Sequence, residues 1–102
     1  MIEDVNADFL NTVIEAFLSD MPSRLNFLRS ALAGGDAAAV HGQTWSMKSA
    51  GAFIGIDRFT DLCLEMEALA SAGDTAGAAE LLTEIEAEYV RVEKELQHRQ
   101  GW

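Results

Sequence analysis

Three short breaks, each pairing glycine with aspartate, divide this chain: Gly34-Gly35-Asp36, Gly55-Ile56-Asp57 and Gly73-Asp74. Glycine supplies the left-handed residue that ends a helix, and aspartate accepts from the free N–H groups that open the next. Between the breaks, large apolar residues recur every three or four positions, the spacing of one helix face. Ala, Leu, Glu and Met dominate, and clusters of β-branched residues are absent. A chain punctuated in this way is all-α. Its short turns force successive helices to run antiparallel, which gives an up-down four-helix bundle.

The first helix carries Leu10, Ile14, Phe17, Met21, Leu25, Leu28 and Leu32 on one stripe, with Asn6 or Asp8 as its N-cap. Pro22, the chain's one proline, falls inside that run of sequence. Proline removes a backbone donor and usually kinks or breaks a helix. Ser19 and Asp20 stand ready to cap a fresh start, yet the apolar phase carries straight through. The expectation is a first helix kinked or split near Pro22 into collinear pieces, without a reversal. The second helix runs from about Ala37 to Ile54. The third, capped by Asp57, buries Phe59, Leu62, Cys63, Met66 and Leu69. The last buries Ala78, Leu82, Ile85, Tyr89, Val92 and Leu96, and turns Glu80, Glu84, Glu88, Arg91 and Lys94 to water.

The 102 residues imply one domain over 1–102, with an ordered core over about 8–97. The polar tail from Gln97 to Gly101, with His98 in it and Trp102 beyond, is expected to fray. Met1 favours a free-standing protein over an excised piece. The net charge of −10, from 17 acids and 7 bases, disfavours nucleic acid and anionic membrane as partners, since both require neutralised phosphates. No apolar run reaches the ~20 residues of a membrane span, and the acidic N-terminus lacks the basic opening of a signal peptide. The single Cys63 excludes an internal disulfide and fits a reducing, cytoplasmic setting. Two distant histidines and one cysteine make no metal site at a familiar spacing, and no glycine-rich phosphate loop is present, so neither metal nor cofactor is expected.

The second helix has two unlike faces. Val40, Thr44, Met47, Gly51 and Ile54 form a core stripe. His41, Trp45, Lys48 and Ala52 form another at the same spacings, and a large aromatic on the wet side of a helix needs a reason. A rotated helix that buried Trp45 would expose Met47 or Val40.

From Trp45 onward the spacing resembles the histidine-containing phosphotransfer (HPt) domains of bacterial phosphorelays. In that family a helix carries histidine, any residue, leucine, lysine, glycine, small residues and then a Gly-Ala turn. A second helix follows with a leucine, a Leu-Cys pair and a Leu-Glu pair. Met47 and Lys48 match the leucine and lysine, Ala50 and Gly51 the small residues, and Gly55 the turn glycine. Phe59, Leu62-Cys63 and Met66-Glu67 match the next helix. Upstream, Phe17 to Pro22 with Leu25, Leu28, Ala31, Leu32 and Gly35-Asp36 resembles the family's first bundle helix. The match spans about Phe9 to Leu96.

The departure is at the centre, because the family's phosphorylatable histidine corresponds to Trp45. An indole N–H donates but offers no lone pair for attack on phosphorus. Ser49 stands where the family usually has glycine, which narrows the space beside the acceptor. Lys48, which in the family helps neutralise phosphate, is kept, and Glu67 matches a position that faces the site. The resemblance therefore implies a phosphorelay module that has lost its phosphoacceptor and is not an enzyme. It would dock a receiver domain or a histidine kinase through His41, Trp45, Lys48, Ser49 and Ala52, with Glu67 as a neighbour.

Two alternatives stay open. One is working phosphotransfer, through His41 or after an engineered His-to-Trp change at 45 is undone. Against His41, Lys48 lies seven residues on, about 10.5 Å along the axis. The other is a bundle outside phosphorelays that forms a homodimer through Trp45.

Overall fold

Four helices follow one another as the glycine–aspartate breaks require: α1 (Ile2–Ala33), α2 (Ala37–Ile54), α3 (Asp57–Ser71) and α4 (Thr75–Arg99). The computed structural model describes the backbone of residues 2–99 and the side chains of residues 8–99. Each turn closes in the same way. Gly35, Gly55 and Gly73 take positive φ, and the N–H after each glycine reaches back five residues, to the carbonyls of Ala31, Gly51 and Leu69. This Schellman closure satisfies the helix end and turns the chain within a few residues.

The residue after each glycine then starts the next helix. Asp36 accepts from Ala39 N–H at 3.1 Å, and Asp74 from Gly77 N–H at 2.8 Å. The middle turn differs from expectation. Its N-cap is Ile56, which makes no side-chain cap, and Asp57 is already the first residue of α3. Ile56 is buried, so this turn exchanges a capping bond for a core anchor. Asn6 and Asp8 do not cap α1 either, because the helix begins upstream of both.

Cross-helix pairs fix the topology. Phe9 meets Phe53 while Arg24 meets Gln43, so α1 and α2 run antiparallel. Tyr89 meets Leu18 while Arg29 meets Glu86, so α1 and α4 do too. One core joins the four helices, and the predicted apolar stripes supply it almost residue for residue. Phe17 lies at its centre, edge-on to Phe59 of α3 at 5.5 Å and tilted to Tyr89 of α4 at 6.0 Å. Aromatic pairs in this range add to the burial of apolar area. Glu88, expected in water, is buried instead, and Arg91 and Arg58 hold its carboxylate. Its place was legible, since 85, 88 and 92 lie on one face of α4.

α1 runs unbroken through Pro22, so the split form is not what the chain adopts. Without an N–H, Pro22 leaves the Leu18 carbonyl, four residues back, with no helical donor. The Tyr89 hydroxyl reaches across from α4 and donates to that carbonyl at 3.4 Å. At the other end, the tail expected to fray is helical through Arg99, whose guanidinium donates to Glu95. Residues 100–102, including Trp102, lie outside the described residues.

Removing the Tyr89 hydroxyl by Tyr89→Phe should cost about 1 kcal/mol of stability by denaturant titration. In a Pro22→Ala background, whose N–H restores the helical bond, the same change should cost close to nothing. The core also sets an alkaline limit. Burial, and then Glu67, pushes the Cys63 thiol up to about 12, while burial and Glu93 push the Tyr89 phenol up to about 12. Their ordinary values are 9.0 and 10.0, so the fold holds both protons more tightly than the unfolded chain does. The resulting stability is complete below pH 9 and is lost as pH rises toward 12. The urea midpoint should fall from pH 9 upward, less steeply in Cys63→Ala.

Candidate functional site

α2 owes its two faces to one small residue. Gly51 is buried where α2 lies against α3, and a Cβ there would sit 2.6 Å from the Thr60 hydroxyl and 3.3 Å from the Phe59 ring. Glycine leaves room here for the Thr60 and Phe59 side chains, which even a methyl group at 51 would force to shift. With Val40, Thr44, Met47, Gly51 and Ile54 all buried, the rotation of α2 is fixed. Thr44 satisfies its buried hydroxyl locally, donating to the Val40 carbonyl at 2.8 Å.

The opposite stripe faces water. Trp45 is 55% exposed, so the helix is not rotated to bury it. His41 one turn before it, and Ser49 and Ala52 after it, are exposed as well. The Ser49 hydroxyl donates to the Trp45 carbonyl at 2.9 Å and so is turned onto its own helix.

Lys48 is not free. Its ammonium donates to Glu67 Oε1 of α3 at 3.1 Å, and both side chains are largely covered, at 25% and 16% exposure. The second oxygen, Glu67 Oε2, is buried with no hydrogen-bond partner among the described residues. Cys63, one turn before Glu67, is buried in the core beneath the pair. Its raised pKa keeps it a neutral thiol, which excludes it as a nucleophile at neutral pH. The predicted neighbour Glu67 is therefore in contact with the stripe, and it holds the cation that the stripe was expected to present.

Two exposed aromatics extend this face and were not anticipated. Phe9 of α1 and Phe53 of α2 are 58% and 56% exposed, and their rings meet edge-on at 5.7 Å. Phe53 stands off the core stripe of α2 just as Trp45 does, so the reasoning that singled out Trp45 also reaches Phe53. Phe9 needs the fold, because only the antiparallel pairing brings it there.

Chemically, the stripe offers an indole donor, a neutralised ammonium, a hydroxyl turned inward and one imidazole, at His41. Only the imidazole has a lone pair suited to accept a phosphoryl group, and its nearest predicted cation, Lys48, is engaged elsewhere.

Among the described residues, no helix is long and apolar enough to cross a membrane. No curated protein matches the sequence. The crystal structure of histidine-containing phosphotransfer protein B from Pseudomonas aeruginosa PAO1 superposes with a TM-score of 0.87. The match has 28% identity and covers 99% of this chain and 89% of that one. The family model for the Hpt domain matches residues 12–97. On these grounds the chain belongs to the histidine-containing phosphotransfer (HPt) domain family, the helical-bundle signalling modules of phosphorelays.

Proposed function

We propose that this HPt module has no phosphoacceptor and works by docking, without catalysis. Its partner would be a receiver domain or a histidine kinase, the classes that HPt proteins engage, met in the cytoplasm. One observation carries this reading. Trp45, at the position that the family spacing gives to the reactive histidine, is more than half exposed on the outer face of α2. Exposure of so large an apolar ring is costly unless a partner covers it, and tryptophan is among the residues most enriched at binding hot spots. The Phe9–Phe53 pair adds apolar area along the same helix, about 12 Å further on. The Lys48–Glu67 pair supports the loss of chemistry, since a lysine held by a carboxylate is poorly placed to neutralise a phosphate.

The rival with an observation behind it is transfer through His41, which is exposed on the same stripe. Incubation with a phosphorylated receiver domain separates the two. The parent protein should take up no label, and acid-labile label that disappears in His41→Ala would establish the rival instead. Trp45→Ala should weaken binding to the cognate receiver or kinase by roughly 2–4 kcal/mol in a calorimetric titration, with the helical content unchanged. Trp45 could also be covered by a second copy of the chain. In that case the parent would elute as a dimer and Trp45→Ala as a monomer, with no effect on receiver binding.

A further inference from the structure

A second surface, on α3 and α4, shares no residue with the Trp45 face. There the two helices leave an open groove of about 650 Å³. Ala68 and Leu69 of α3 and Leu81 of α4 contribute its apolar surface, and Glu65, Glu80 and Glu84 its carboxylates. Leu64, one turn before Ala68 on α3, is half exposed. No basic side chain lines the groove.

The charge is not balanced from elsewhere. Arg29, Lys48, Arg58, Arg91 and Arg99 are paired with Glu86, Glu67, Glu88 and Glu95. Among the described residues no cation pairs with Glu65, Glu80 or Glu84. Five of the chain's seven cations thus pair with acids on other surfaces, and the rim carboxylates stand around an apolar floor with no cation beside them among the described residues. By period alone, Glu80 and Glu84 belong to a solvated face of α4. A solvated face does not require a trough with leucines at its base.

We propose that the α3–α4 groove docks a basic amphipathic helix from a partner protein. The apolar floor suits aliphatic side chains, and the rim suits Lys or Arg flanking them. Glu80 and Glu84 lie one helical turn apart, about 6 Å, which matches cations at i and i+4 on a helix laid along the groove. An amphipathic helix seated between two parallel ridges is a recurrent mode of peptide capture. Nucleic acid and anionic lipid do not suit a rim of this sign.

The test uses the whole chain and a fluorescein-labelled leucine–lysine amphipathic peptide of about 14 residues, read by anisotropy. Glu65→Gln/Glu80→Gln/Glu84→Gln should weaken binding about tenfold. The control Glu15→Gln/Asp20→Asn/Asp57→Asn removes the same charge from other surfaces and should change affinity by less than about twofold. Ala68→Lys, an exposed change on the groove floor, should abolish binding while the circular dichroism spectrum stays that of the parent. Equal weakening by the two triple variants would reduce the effect to net charge and overturn the proposal. So would retention of binding by Ala68→Lys, or spermine displacing the peptide at matched charge, which would make the occupant a small polycation. Trp45→Ala should leave peptide binding unchanged, so failure here is distinguishable from failure of the docking reading at α2.

Discussion

The contact of Gly51 with Thr60 and Phe59 is the constraint from which the surface of this bundle follows. Without a Cβ at 51, α2 and α3 come close enough for Phe59 to be fully buried and for Ile56 to be drawn in at the turn between them. The same approach brings the Lys48 ammonium within reach of Glu67 and fixes which residues of α2 face outward. The exposure of Trp45 is therefore a product of core packing. The helix cannot roll to hide the indole without lifting Val40 and Met47 from sites where neither is exposed at all. Burying two such side chains is worth roughly 1.5–3 kcal/mol each, which together matches or exceeds what covering one half-exposed ring could return.

The Lys48–Glu67 pair occupies an intermediate electrostatic position. It is covered enough that solvent screens it less than an open surface pair, yet one carboxylate oxygen is buried without a donor among the described residues. Buried polar atoms without partners are destabilising in general. Here the cost falls at the edge of the face that the family uses for its chemistry, where departures from the best local arrangement tend to concentrate.

Much of this was legible in the sequence because its signals were local and redundant. The three glycine–aspartate turns, the core stripes of all four helices and the outward stripe around Trp45 follow from period and capping alone. What escaped notice depended on distance in the chain. Ile56 replaced Asp57 as N-cap because the turn needed an apolar anchor, which only the packed core reveals. Glu88 is the exception, since the α4 period already sets it beside Ile85 and Val92 and Arg91, three residues on, holds its carboxylate. The Phe9–Phe53 pair joins two helices, and the freedom expected of Lys48 vanished because Glu67 stands on the next helix. α1 also runs whole through Pro22, and the carbonyl its proline strands has a donor on α4.

That last bond makes the continuity of α1 a property of the assembled bundle. The helix is encoded first but completed last, because the hydroxyl that serves Leu18 lies 71 residues downstream. A nascent chain emerging in order would carry a weak point in its longest helix until more than half of α4 had been made. Fragments that end before Tyr89 would keep that weakness. The two ends of the sequence are thus coupled at one backbone atom. A substitution at Pro22 changes what is tolerated at Tyr89, although Pro22 itself sits on the exposed side of α1.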